Sequence, residues 1–332
     1  MDAVTDPLEQ YVSLYQRLSK RARWDMSAAQ QRIVSMILAT VPIDDPLGTL
    51  EEAASELRRR AGWFGPLSSP IRYSVAAMLI RRKLPPGQVH DRVLSILPNL
   101  KGRRLPWGGH GRTLAGVLLS LRSFEDKSRS TSTVVFDRME RIYRLWKEDH
   151  PAITGDDDLP MLALHALRDE PPGALSERLE KIYRELNAGG VPKGNALQLS
   201  SQILGVLPWG AGEAAGRFQA LRDSFLRHGE KISRSRLDEV ALLSLAPGAP
   251  DDIVDQVVTD QRKLRERKPR VSKAVAFNLA AGLVLTRCDA ATPEQARKAD
   301  LPEISALGQV RAVLEAQQAA MAAVVASSAA SH

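Results

Sequence analysis

One cysteine, Cys288, is the whole thiol content of this 332-residue chain. That excludes an internal disulfide and any CxxC metal site, and it gives no sign of secretion. Aromatic residues are also scarce, at 5% of the chain, whereas Leu, Ala, Arg and Glu are abundant. Those are the residues that lose least side-chain entropy in a helix, so the composition favours an all-helical protein. No stretch alternates apolar with polar residues convincingly, so strands are at most incidental.

Other absences narrow the function classes. The N-terminal MDAVTDPLEQ is acidic and lacks the basic start and apolar run of a signal peptide. No apolar run approaches the ~20 residues that a membrane helix needs. The expectation is a cytoplasmic protein with no membrane partner. Six histidines (His90, His110, His150, His165, His228 and His332) show neither HExxH nor HxH spacing. His165, inside LALHAL, reads as a hydrogen-bonded core histidine. There is no GxSxG elbow and no P-loop, and GAGEAAG at 210–216 has neither the spacing nor the sheet of a dinucleotide site. No cofactor is expected.

What is present is periodicity. RLEKIYREL at 178–186 follows RMERIYRLW at 138–146 by 40 positions. In the later copy Leu175, Leu179, Ile182, Tyr183 and Leu186 take the spacing that puts every apolar side chain on one helical face. Val135, Met139, Ile142, Tyr143 and Trp146 repeat it, and Ala214, Phe218, Leu221 and Phe225 repeat it again 39 positions on. Each such helix is followed by a loop and a second helix apolar on more of its circumference. Extended along the chain, the phase predicts an all-α superhelix of about seven antiparallel hairpins over residues 1–290. The Ser/Thr-rich DKSRSTST at 126–133 is the candidate joint. Residues 291–332 are expected to hold a capping helix and a disordered end. The tetrapeptide LPWG, at 105–108 and 207–210, falls at opposite ends of such hairpins, so it marks local helix stops rather than the repeat.

Several of these stretches resemble a known family. Trp24 after a basic helix, SSPIRYSVAAML at 68–79, GDDDLPMLALHAL at 155–167, YRELNAGGVPKGNALQLSSQIL at 183–204 and EAQQAAMAAV at 315–324 are together similar to the bacterial domain of unknown function 4003 family. The resemblance covers most of the chain and implies a bacterial, soluble, helical protein. It implies no activity and brings no catalytic or binding residues. KGRRLPWGG stands where the resemblance leads one to expect a shorter turn.

The chemistry-bearing residues divide by sign. Asp251, Asp252 and Asp255 spell DDxxD, which on a helix puts two carboxylates one turn apart, as in the Mg2+-diphosphate motif of all-helical prenyltransferases. Asp156, Asp157 and Asp158 form a second cluster, and both clusters stand where carboxylates offset the positive end of a helix. Cations gather instead at the turns inside the hairpins: Lys20, Arg21 and Arg23; Arg58, Arg59 and Arg60; Lys101, Arg103 and Arg104; Arg227, Lys231, Arg234 and Arg236; and Lys263, Arg265, Arg267, Lys268 and Arg270. The net charge of +7 agrees with a basic rim. Within it, Lys101, Arg103, Arg104, Trp107, His110 and Arg112 combine cations, an aromatic and a helix start able to hold a phosphate or an acidic peptide. The expectation is a non-enzymatic bacterial interaction protein that binds an acidic protein or peptide through this rim and through Arg58, Arg59 and Arg60. Two alternatives stand beside it: a nucleic-acid-binding helical repeat, and a Mg2+-dependent helical enzyme of prenyl-diphosphate type built on the DDxxD.

Overall fold

The computed structural model describes residues 6–20, 26–39, 41–62, 65–68, 71–106, 110–125, 132–267 and 271–289. Among these the chain is helical throughout, with fourteen α-helices, two 3-10 turns and no strand. None of the described helices is long and apolar enough to cross a membrane. The expected capping helix and disordered end at 291–332, Trp107, and most of the 126–133 joint lie outside the described residues. The chain divides into two compact units between Val135 and Phe136.

The first unit holds α1 (Pro7–Ser19), α2 (Ala28–Leu38), α3 (Pro46–Ala61), α4 (Ile71–Arg81), α5 (Pro86–Lys101) and α6 (Gly111–Glu125). Each odd-numbered helix packs on the even one that follows it, and α2 also meets α4 while α3 meets α5. The second unit runs through α7 (Thr133–Asp149), α8 (Leu159–Ala166), α9 (Pro172–Ala188), α10 (Asn195–Leu204), α11 (Ala211–Arg227), α12 (Leu237–Ser244), α13 (Pro250–Glu266) and α14 (Lys273–Asp289). Here α9 packs on α11 and α11 on α13, while α10 packs on α12 and α12 on α14. First helices therefore meet first helices, and second helices meet second helices.

The sequence shows why. The first helices are amphipathic: in α9 the buried side chains are Leu175, Ser176, Leu179, Ile182, Tyr183 and Leu186, on one face. The second helices have neighbours on most sides, so every residue of α8 is buried, as is each position of α4 from Ile71 to Leu79. Proline opens five of the seven first helices, at Pro7, Pro46, Pro86, Pro172 and Pro250. A proline at the first helical position forgoes only an N–H that would lack a helical acceptor, and its fixed φ suits the helix.

Candidate functional site

Charged side chains at the ends of the first helices bridge neighbouring hairpins at several places. The C-terminal end of one first helix repeatedly meets the N-terminal half of the next. Arg60, in the last turn of α3, donates to Glu56 at 3.2 Å and to both carboxylate oxygens of Asp91 on α5 at 3.2 and 3.0 Å. His150, just past α7, lies 3.0 Å from Glu180 on α9. At the end of α11, Arg227 pairs with Asp251, while His228 reaches Asp255 at 2.6 Å. The Ser224 carbonyl and then Asp255 raise the His228 pKa, so the ring is held in its cationic form more readily. The Ser224 hydroxyl and then Arg227 hold the Asp251 carboxyl below its ordinary value.

The DDxxD is accordingly placed at a junction between hairpins. Asp251 faces Arg227 of α11, Asp255 faces His228 just past that helix, and Asp252 is exposed in the first turn of α13. Among the described residues, no group of three or more His, Cys, Asp or Glu side chains gathers as a metal would require. Arg236, read from sequence as part of the basic rim, is buried instead, with its guanidinium 4.6 Å from the centre of the Phe277 ring.

The Arg58–Arg60 run splits by helical phase. Arg60 turns towards α5, whereas Arg58 and Arg59 are exposed and neither guanidinium has a partner among the described residues. Together with Ser55, Gly62 and Ser68 they line a surface recess of about 390 Å³. Cations at this end of α3 already complement its dipole, and the same dipole opposes a bound anion by about 0.3–1 kcal/mol. A charge-assisted hydrogen bond from a guanidinium contributes about 1.5–3 kcal/mol, so the arginines prevail when both engage one anion.

The described residues between Lys101 and Arg112 do not line that recess. Leu105 is buried, and Arg112 donates back to the Pro106 carbonyl at 2.7 Å, tying the start of α6 to the loop before it. Lys101 and Arg104 are exposed, whereas Arg103 and His110 are half-buried. The second LPWG copy is seen in full: it follows α10, and its half-buried Trp209 lies 5.8 Å from the Arg217 guanidinium.

That arginine belongs to a set that sequence reasoning missed. Arg138 on α7 donates to the carbonyls of Ala166 at 3.0 Å, Arg168 at 2.5 Å and Glu170 at 2.7 Å. Arg178 on α9 donates to Gly205 at 2.9 Å and Leu207 at 3.0 Å. Arg217 on α11 donates to Ser244 at 2.5 Å and Gly248 at 3.1 Å, and also to Ala246. Donors recur after 40 and 39 positions, and the first acceptors, Ala166, Gly205 and Ser244, recur after 39 and 39. Each arginine binds carbonyls at the C-terminal end of the second helix of its own hairpin, groups that have no helical partner. The signal was available: each arginine directly precedes an aligned core residue, Met139, Leu179 or Phe218.

A buried polar cluster was missed as well. Asp158, part of the DDD turn, accepts from the Gly155 N–H at 2.8 Å and from the side-chain amides of Gln198 and Gln202 at 3.2 and 2.9 Å. Burial outweighs these bonds and pushes its pKa up to about 6. His165 is fully buried and its Nε2 donates to the Gln202 carbonyl at 3.0 Å. Burial, then the nearby Arg168, push its pKa down to about 3, so it is a neutral core histidine.

Residues 14–319 match the family model described as "Protein of unknown function (DUF4003)". The chain belongs to the DUF4003 family. A similar protein, "Uncharacterized protein YeaA" of Bacillus subtilis (strain 168), is 24% identical over 330 residues, which cover 97% of this chain and 95% of that protein. No solved structure matches the chain. For this DUF4003 chain the candidate site therefore rests on geometry: two arginines without a partner among the described residues line a recess, beside a third that is committed to a junction.

Proposed function

We propose that this DUF4003 protein is a non-enzymatic interaction protein of the bacterial cytoplasm, a helical-hairpin repeat that holds an acidic protein or peptide. The observation that carries the reading is the contrast within one helix turn. Arg60 is committed to Glu56 and Asp91, while Arg58 and Arg59 are left facing a recess. An exposed guanidinium contributes little to its own fold, and its planar fork matches a carboxylate. The repeat reading, with a period of about 40 residues, is supported by the recurrence of Arg138, Arg178 and Arg217 with equivalent carbonyl acceptors.

The test is affinity capture from native lysate at low salt, using the full chain, an Arg58→Glu/Arg59→Glu variant and a nuclease-treated sample. A specific acidic protein that survives nuclease and is lost in the variant is the expected result. Recovery of nucleic acid alone moves the reading to nucleic-acid binding, with affinity falling steeply between ~50 and ~200 mM salt. Equal capture by chain and variant refutes the role of the recess.

A further inference from the structure

The recess beside α3 is lined by hydroxyls as well as by charge. Ser55, Arg58, Arg59 and Gly62 follow i, i+3, i+4, i+7 spacing, so they share one face of the last two turns of the helix. Gly62 ends the helix with a φ of 64°, and no atom of the described residues lies within 4 Å of the place a Cβ would take. Gly62 lines the recess without a side chain, and Ser68 is a further lining residue. Ser68 is itself occupied, donating to the Gly65 carbonyl at 2.7 Å. The Ser55 hydroxyl has no partner among the described residues, and no carboxylate of those residues lines the recess.

Among the described residues this inventory is two guanidinium forks and one free hydroxyl, with no counter-charge. A carboxylate brings one charge and two oxygens, which a single fork satisfies. A phosphomonoester brings a charge near −2 and three acceptor oxygens, enough to engage both forks and the hydroxyl together. Building on the reading of the recess as an anion site, we infer that it binds a phosphomonoester group. Arg58 and Arg59 carry the charge recognition, and Ser55 supplies the additional donor. A volume of about 390 Å³ accommodates the group together with the first atoms of whatever bears it.

The experiment is calorimetric titration of the full chain at constant ionic strength with glycerol 3-phosphate, a phosphoserine peptide, the same peptide carrying glutamate, and acetate. Saturable binding of the phosphoserine peptide, about tenfold or more tighter than the glutamate peptide, is expected from the second fork. Binding should weaken by about tenfold in Arg58→Gln and Arg59→Gln but by less than about twofold in Arg60→Gln, whose surface pairs are worth little. Affinity should also fall as the pH drops through the second phosphate pKa, about 6. Glycerol 3-phosphate separates the sources: equal binding points to a small phosphorylated molecule, and peptide-only binding to a phosphorylated chain. If the glutamate peptide binds as tightly, with the same arginine dependence, the phosphate inference falls while the acidic-partner reading stands. If no anion binds saturably, both fall.

Discussion

Replacing Arg178 by alanine removes four hydrogen bonds at once. Its guanidinium grips the Glu170 carboxylate with two bonds, at 2.9 and 2.6 Å, and holds the carbonyls of Leu207 and Gly205 at the end of α10. The two side chains are only 16% and 23% exposed, so water replaces these partners poorly. Breaking a fully buried pair costs about 3–5 kcal/mol, and an exposed one about 0.2–1 kcal/mol. With partial burial and two uncapped carbonyls, the expected loss is about 2–3 kcal/mol. For a unit of this size that corresponds to a fall of roughly 4–12 °C in melting temperature. Arg184→Ala is the control, since Arg184 is 74% exposed and pairs only with Glu180. It should cost about 0.3–0.5 kcal/mol. Arg178→Lys keeps the charge without the fork and should fall between the two. The pH dependence adds a check. Arg178 holds the Glu170 carboxyl below its ordinary value, so this contribution is present above pH 4.5 and is lost as the pH falls through the lower folded value. The gap between wild type and Arg178→Ala should narrow there. Calorimetric melts in which Arg178→Ala is no worse than Arg184→Ala would refute the tie.

Two further predictions concern the core of the second unit. The Asp158 pKa is raised to about 6 from 3.8, so its contribution is fully present below pH 3.8 and is lost as the pH rises through 6. Between pH 8 and pH 5 this adds about 1.4 kcal/mol of stability. His165 works against it, because its pKa is lowered from 6.5 to about 3 and burying it neutral costs about 2 kcal/mol over the same interval. The two nearly cancel in the wild type, so Asp158→Asn should lose about 1.4 kcal/mol more than wild type on acidification. Parallel urea melts at the two pH values check this, and equal losses would refute it. Gly205→Ala should destabilise the α9–α10 contact by about 1–3 kcal/mol, because its Cβ would lie 2.0 Å from Leu179 Cδ2. Gly173→Ala, with open space around it, should be neutral or slightly stabilising in the same melts.

The helices were legible because burial writes itself into spacing. Leu175, Leu179, Ile182 and Leu186 can be read as one face without coordinates, and the structure buries all four. The arginine ties were only half legible: Arg138, Arg178 and Arg217 stand at aligned positions, but their acceptors are backbone carbonyls, which leave no trace in residue identity. Arg58, Arg59 and Arg60 look alike as a run, and only helical phase, about 100° per residue, separates the one that turns to Asp91 from the two that do not. Asp158 was read as a helix-end carboxylate, yet two glutamines from α10 draw it into the interior, 40 and 44 positions away in sequence. The second LPWG lies between α10, which Gly205 already ends, and α11, and its tryptophan's approach to Arg217 needed the fold.

The ties of Arg138, Arg178 and Arg217 to their first acceptors span 28, 27 and 27 positions. Each closes within its own hairpin and waits for nothing made later. A chain leaving the ribosome can thus fasten one hairpin before the next has been translated, keeping its contacts local and its folding fast. The junction pairs such as His228 with Asp255 join one hairpin to the next, so each needs the following helix to have been made before it can close.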